Sequence, residues 1–384
     1  MDNFVYYNPT RIVFGKGSIA ELGRLVAADS NVLMTYGGGS IKRNGVYDQV
    51  KTALAGRKVL EFGGIQPNPL YETLMEAVKL ARENRVDLLL AVGGGSVLDG
   101  TKFIAAASRF EGDDPWDILA KHAEVKSAVP VGAVLTLPAT GSESNAYAVI
   151  SRKSTQEKLA FGAEPCYPRF SILDPQTTMS LPGKQVRNGI VDTWAHVMEQ
   201  YATWPQNAAL QDRMCEAVLL TLIERGPRTL ENPADYDARA DFMWSATQAL
   251  SGLIGVGLVQ DWATHGIGHE LTAFYGLDHA ETLAIVMPAI LRHQKQSKQT
   301  KLLQYARRVW NISDRDENTA IDAAITATER FFHSLGMPTK LSDYNISPAD
   351  AARKVGDRFD SRGTKLGERG HLGPKETREI LMAC

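Results

Sequence analysis

Apolar residues recur along this chain in two rhythms, and the rhythm changes once. In the first part, short apolar runs bounded by glycine, proline and small polar residues alternate with stretches of helical period. Residues 11–15 predict an opening strand, and Ser18 stands where it could cap the helix that follows. Residues 31–36 and 58–62 are further β-type runs, and 71–84 carries Leu74, Ala77, Val78 and Ala81 on one helical face. Residues 86–92 read as a buried strand running into Gly93-Gly94-Gly95-Ser96, with a helix over 97–107. A second buried strand spans 131–137. Residues 147–151 and 159–161 suggest a hairpin with Lys158 at its far end, and 170–173 closes the set. Strands alternating with helices in this way predict a parallel sheet with crossover helices.

From residue 185 onward strand-like alternation disappears. Helical stretches at 188–201, 208–225, 236–252, 261–274, 280–296, 300–309 and 319–335 predict an all-α half, with weaker patterning after Leu341. Asp174-Pro175 and Leu181-Pro182 interrupt regular structure between the two regimes. The predicted organisation is an α/β dinucleotide-binding domain over 1–180 and an all-helical metal-binding domain over 181–384. A chain of 384 residues is long enough for two cores.

Composition excludes several classes. Hydrophobic residues make up 44% and charged residues 22%, as in ordinary globular domains. The formal net charge of -2, with no long basic run, argues against nucleic-acid binding. The longest apolar runs are too short to span a bilayer, and MDNFVYYNPTRIVFGKG has no apolar signal region, so a cytoplasmic protein is expected. Cys166, Cys215 and Cys384 are far apart and form no CxxC, so neither a disulfide framework nor a thiolate metal site is indicated. Cys215 is expected in the core and Cys384, the last residue, in a frayed end.

Two glycine turns carry the chemistry of the first half. A strand that ends in Gly93-Gly94-Gly95-Ser96 and opens a helix lets backbone N–H groups approach a phosphate, aided by the helix dipole. Its spacing is not GxGxxG, and a plain tight turn would share its composition. The other turn is Gly37-Gly38-Gly39-Ser40-Ile41-Lys42-Arg43. NAD-selective sites place an acid after such a strand to hold the ribose 2′-OH. Here no acid appears before Asp48, and a hydroxyl and two cations stand in its place, which favours NADP(H). Thr136, Thr140 and Ser142 add hydroxyls in the loop after 131–137.

The second half concentrates histidine. Asp192 and His196 are spaced i, i+4, as are His265 and His269, so each pair shares a helix face about 6 Å apart at Cβ. His279 follows the turn Tyr275-Gly276-Leu277-Asp278, from which it can swing back. Asp and His from different helices suit a divalent transition metal. Taken singly, the same pairs also describe surface contacts or satisfied core histidines. His122, His293, His333 and His371 sit in charged or loop contexts. HxxxH is not HExxH, and no GxSxG occurs, so protease and hydrolase readings are weak.

The segments YGGGS, EFGGIQPNP, AVGGGSVLDGTKFIA, LPATGSESN, NGIVDTWAHVMEQY and HGIGHELTAFYGLDHAETLA together resemble the iron-containing (type III) alcohol dehydrogenase family, within it the butanol-dehydrogenase-like branch. The resemblance runs to about residue 345. It implies a dehydroquinate synthase-like fold, an α/β dinucleotide domain and an all-α domain with a cleft between them. It implies metal ligands at Asp192, His196, His265 and His279, with zinc or iron as the ion. It implies cofactor contacts from Gly37, Gly38, Ser40, Asn68, Gly94, Gly95, Ser96, Asp99, Thr136, Thr140, Ser142 and Lys158, and a homodimer pairing through the N-terminal domain.

The activity so implied is NADP(H)-dependent reduction of short- to medium-chain aldehydes to primary alcohols. His269, not needed as a ligand, becomes the candidate proton relay. Two positions depart from the family pattern: Tyr147 falls where relatives often have glycine, and Tyr275 where the aldehyde reductases have a further histidine. Alternatives on the same fold are a glycerol-dehydrogenase-like enzyme, a dehydroquinate-synthase-like lyase and a non-catalytic binding module.

Overall fold

The computed structural model describes all 384 residues. In chain order the strands are β1 (Arg11–Phe14), β2 (Asn31–Tyr36), β3 (Lys58–Phe62), β4 (Leu88–Gly94), β5 (Val131–Leu137), β6 (Tyr147–Arg152), β7 (Glu157–Gly162) and β8 (Phe170–Leu173). Among them run α1 (Leu22–Leu25), α2 (Val46–Ala53), α3 (Tyr71–Glu83), α4 (Gly95–Arg109) and α5 (Asp117–Ala120). The later helices are α6 (Gly183–Tyr201), α7 (Ala209–Glu231), α8 (Tyr236–Ala249), α9 (Ala263–Tyr275), α10 (His279–His293), α11 (Gln299–Arg308), α12 (Glu317–Ser334), α13 (Pro348–Arg362) and α14 (Pro374–Met382).

The chain forms two compact units. One holds Tyr7–Pro182 and Asn232–Ser251; the other holds Met1–Tyr6, Gly183–Glu231 and Gly252–Cys384. The chain therefore crosses between units more often than a single boundary near 180 describes. The helix α8 belongs with the α/β unit, where Thr247 Oγ1 donates to Glu143 Oε1 at 2.6 Å and Trp244 packs edge-on against Phe14.

The α/β unit is built on a six-stranded parallel sheet of order β1-β8-β5-β4-β2-β3, with β6 and β7 as a separate antiparallel hairpin. The central strands are apolar on both faces because both are covered. Alternate residues of the same strands feed opposite cores: Leu33, Leu89 and Ala91 join α3 and α4, while Val32, Met34, Leu90 and Val92 join α2 and the opening helical turns. Full burial of each of these Val, Leu and Met side chains contributes roughly 1.5–3 kcal/mol. The four α3 positions expected on one face are the buried ones.

Local departures from the sequence expectation have physical reasons. Residues 18–21 form a 3-10 turn and α1 is a single helical turn. Gly17, in the left-handed region at φ 75°, precedes the turn, and Ser18 makes no capping bond. The strand β4 starts two residues later than the apolar run. Arg85 is left-handed and Val86 N–H bonds back to Ala81, closing α3 first. Cys384 is buried, not frayed: its carbonyl accepts from Leu341 N–H at 3.0 Å, and it packs in the cluster made by α13 and α14.

In the helical unit, α6 and α9 each carry part of the histidine cluster. The turn between α9 and α10 is fixed by Gly276, left-handed at φ 70°, and by Asp278 N–H donating to Glu281 Oε2 at 2.9 Å. Lys184 on α6 reaches Asp278 at 2.7 Å and Glu281 at 3.1 Å. These contacts make His279 the first residue of α10 and pin that end of the helix to α6.

Candidate metal centre and cofactor-binding turns

Asp192 on α6, His265 on α9 and His279 on α10 each offer one ligand atom, and these atoms all lie within 4.8 Å of one another. Asp192 Oδ1 is buried and accepts no hydrogen bond; the nearest cation-forming atoms are His196 Nδ1 at 3.5 Å and His279 Nε2 at 3.6 Å. A buried carboxylate oxygen without a donor is costly. Facing imidazoles from two other helices, it has the donor chemistry of a divalent transition-metal site. The residues fit the ion.

His196 is outside that mutual group, although its ring centroid is 4.6 Å from that of His265. Its Nδ1 lies 2.7 Å from the Asp192 backbone carbonyl. If Nδ1 is the donor there, the Nε2 lone pair is left available. Burial, opposed by Asp192, lowers the His196 pKa and favours the neutral ring a ligand needs. His269 is half-buried one turn beyond His265, with its ring 5.4 Å from that of His279 and 6.2 Å from that of His265. Tyr275 at the end of α9 donates its hydroxyl to Asp350 at 2.9 Å, and burial, then Asp350, push its pKa up to about 12. It is poorly suited to move protons near neutral pH.

Sequence reasoning missed Glu199. It follows Asp192 and His196 at i+7 and i+3 on the same face of α6, which is the signal that could have found it. Its carboxylate contacts His265 Nδ1 and accepts from Thr264 N–H at 2.6 Å. Burial, then Asp261, raise its pKa well above the usual carboxylate range; a bound cation acts in the opposite direction. A carboxylate on Nδ1 fixes the tautomer and turns Nε2 toward a metal. Glu199→Gln keeps the acceptor for Thr264 but loses the charge on His265. It should weaken metal binding about 10–100-fold in chelator competition; unchanged affinity would show that Glu199 serves only packing.

On the α/β unit both glycine turns follow the carboxyl ends of adjacent strands. From β2 the chain crosses outward to β3, then returns to β4 on the other side, so β2 and β4 flank the topological switch point where such sheets bind ligands. Gly38 and Gly39 have nothing within 4 Å of a would-be Cβ. The second turn is different. A Cβ at Gly93 would meet Val97 at 2.6 Å, at Gly94 Leu137 at 2.9 Å, and at Gly95 Thr140 Oγ1 at 2.6 Å. These glycines let strand, loop and helix close on one another, and α4 begins at Gly95 with Ser96 in its first turn.

The remaining cofactor candidates form two groups. Asp99 Oδ1 accepts from Ser142 Oγ at 2.6 Å and Oδ2 from Val149 N–H at 3.0 Å. Lys102, also missed from the sequence, is buried beneath them and donates to Ser142 Oγ (2.9 Å), Asn145 Oδ1 (3.0 Å) and the Tyr147 carbonyl (2.8 Å). Separately, Lys158 Nζ donates to Asn68 Oδ1 at 2.8 Å, and Asn68 holds a left-handed backbone. Thr136 is buried on β5, and Ser40 is exposed after β2. Lys42 lies 4.9 Å from the ring centroids of both Tyr36 and Tyr47 and 3.4 Å from Glu61. Gly95→Ala should raise the KM for a dinucleotide about tenfold by displacing Thr140 and leave metal content unchanged. Steady-state kinetics beside metal analysis checks this.

The iron-containing alcohol dehydrogenase model matches residues 9–175, and the model of the C-terminal region of Fe-containing alcohol dehydrogenases matches residues 187–363. The chain belongs to the iron-containing alcohol dehydrogenase family. It is 57% identical to the NADPH-dependent aldehyde reductase YqhD of Escherichia coli K12, over all of both chains. The crystal structure of E. coli K-12 YqhD superposes with a TM-score of 0.98, covering 100% of this chain and 98% of that one. NADH-dependent butanol dehydrogenase A of Thermotoga maritima is 36% identical with a TM-score of 0.94, covering 99% and 98%.

Proposed function

We propose that this protein reduces aldehydes to primary alcohols with NADPH at a site that holds one divalent metal ion, Zn²⁺ or Fe²⁺. What supports this most directly is the unbonded, buried Asp192 Oδ1 beside His265 and His279, in a chain 57% identical to an aldehyde reductase. When bound, the ion supplies Lewis acidity toward a carbonyl oxygen and the dihydronicotinamide supplies the hydride.

The chain's own residues do the rest. Asp192, His196, His265 and His279 hold the ion, and Asp192 lowers the net positive charge there. Glu199 fixes the His265 ring. His269 provides the proton that the nascent alkoxide needs, through water or a cofactor hydroxyl. The α/β unit, residues 1–180 in the main, is the dinucleotide-binding domain. Backbone N–H groups at Gly94, Gly95 and Ser96 take the pyrophosphate. Gly37, Gly38 and Ser40, with Lys42 nearby, take the 2′-phosphate; this favours NADPH, as in the name of the 57% identical relative, although several similar proteins at 36–44% identity are named for NADH. Asn68, Asp99, Thr136, Thr140, Ser142 and Lys158 position the ribose and nicotinamide. Residues 181–384, apart from the stretch 232–251 that packs with the α/β unit, form the metal-binding domain. No helix is long and apolar enough to cross a membrane; a cytoplasmic homodimer completes the proposal.

The test is metal analysis of purified protein, with NADPH and NADH oxidation measured over a chain-length series of aldehydes. Stoichiometric metal and faster turnover with NADPH are expected, with rates falling sharply for bulky aldehydes if the exposed Tyr147 limits access. Activity without net cofactor oxidation would point to a lyase. A folded, metal-free protein without turnover would point to a binding module.

A further inference from the structure

The C-terminal end of α6 and the entry to α9 meet at a buried lysine that the proposed reaction does not use. Lys298, just before α11, is 2% exposed. Its Nζ donates to the Ala202 carbonyl, one residue past α6, at 2.7 Å, and pairs with Asp261 Oδ2 at 2.8 Å. The third partner is the Glu368 carboxylate, whose side chain is also 2% exposed. Asp261 in turn caps α9: its Oδ1 accepts from Ala263 N–H at 2.8 Å, and its own N–H donates to the Glu199 carbonyl at 2.8 Å. Every link in this chain lies in the helical unit.

We propose that Lys298 is a positioning residue for the metal centre, a tie that fixes the spacing between the helix bearing Asp192 and His196 and the helix bearing His265. A lysine this deeply buried must be paired to stay charged, and its three partners come from three separate segments. Two of those segments lead directly into the ligand-bearing helices. The third, the Glu368 loop, closes the lysine from outside. Burial works against the Asp261 carboxylate, but Lys298, the Ala263 N–H and a hydrogen bond from the Glu368 carboxyl outweigh it and hold its pKa below the usual range; burial and Asp261 raise the Glu368 pKa in turn, so Glu368 carries the proton the two acids share. Asp261 therefore stays charged and keeps both its cap on α9 and its grip on Lys298. Loss of the tie lets the end of α6 and the start of α9 drift, and a metal site tolerates little drift in ligand spacing.

The inference rests on the metal reading above, and one experiment separates the two. Zinc affinity of the full-length protein is measured by competition with a chromogenic chelator, alongside thermal unfolding of the metal-free form and NADPH binding by fluorescence. Wild type, Lys298→Met, Asp261→Asn and Val355→Ala are compared, the last a buried control in α13. Failure of wild type to bind zinc would sink the metal reading itself. If wild type binds, Lys298→Met should bind zinc about tenfold more weakly, with NADPH binding unchanged, while Val355→Ala loses stability but keeps zinc affinity. Should Lys298→Met not fold, Asp261→Asn is read in its place, with the same weakening expected. Zinc affinity within twofold of wild type in whichever variant is read, or an equal loss in Val355→Ala, overturns the proposal.

Discussion

Asp192→Ala should yield a folded protein that copurifies with almost no metal and reduces aldehydes about a thousandfold more slowly, the rate equivalent of several kcal/mol of Lewis-acid stabilisation. Asp192 is the single carboxylate in the group it forms with His265 and His279. Without it the site offers only imidazoles as ligands, and the one remaining carboxylate, Glu199, acts on the ion only through His265. The substitution should do little harm to the metal-free fold. Asp192 Oδ1 has no hydrogen-bond donor to lose, and the contact that orients His196 runs to the Asp192 backbone carbonyl, which alanine keeps. Removing a buried acceptor that has no donor relieves a desolvation cost. The metal-free variant should therefore unfold at or slightly above the wild-type temperature, while added zinc stabilises wild type alone. Metal content, turnover and thermal shifts with and without zinc give three independent readings. Retention of full metal content and activity would remove Asp192 from the site.

What could be read in advance follows the range of the forces involved. The β4 and β5 strands were legible because strands covered on both faces must be apolar along their whole length. Asp192 with His196, and His265 with His269, were legible because spacing along a helix is a local property. The partners of those residues were not. Glu199 is a glutamate within a helix, which local pattern assigns to a surface, and only the approach of α9 makes it the residue that holds His265. The attachment of α8 to the α/β unit is likewise a tertiary fact, resting on contacts such as Thr247 with Glu143, far apart in sequence. The helices α13 and α14 were missed for another reason. The buried face of α13 is Ala351, Ala352, Val355, Gly356 and Phe359, too small in most positions to show a strong apolar stripe against its charged neighbours. The triple glycine was legible as a motif, but its packing role was not, since Val97, Leu137 and Thr140 fill the space a Cβ would need.

Lys102→Met should be among the most destabilising single changes in the α/β unit, and its effect should depend on pH in a direction fixed by the burial of the lysine. The ammonium serves three oxygens at once, and Ser142 Oγ passes the interaction on to Asp99. Methionine fills the volume but leaves those acceptors, and the buried Asp99, without their cation, a loss of about 3–5 kcal/mol when one partner of a buried pair is removed. Burial, opposed by Asp99, lowers the Lys102 pKa from 10.5 to about 8. Below pH 8 the folded protein bears the full cost of keeping the lysine charged. Between about pH 8 and 10.5 the unfolded chain holds a proton that the folded chain has given up, so this group's contribution to stability rises with pH. The methionine variant has no such group. Its deficit relative to wild type should widen by about 3 kcal/mol across that window, read as the difference in unfolding midpoints in parallel buffers. Ser142 and Asp99 are also proposed cofactor contacts, so the KM for NADPH should rise about tenfold at neutral pH, with metal content and the KM for aldehyde unchanged. A deficit that stays flat from pH 8 to 10.5 would mean that Lys102 is not the buried charge described; an unchanged KM for NADPH would mean that it supports the fold alone.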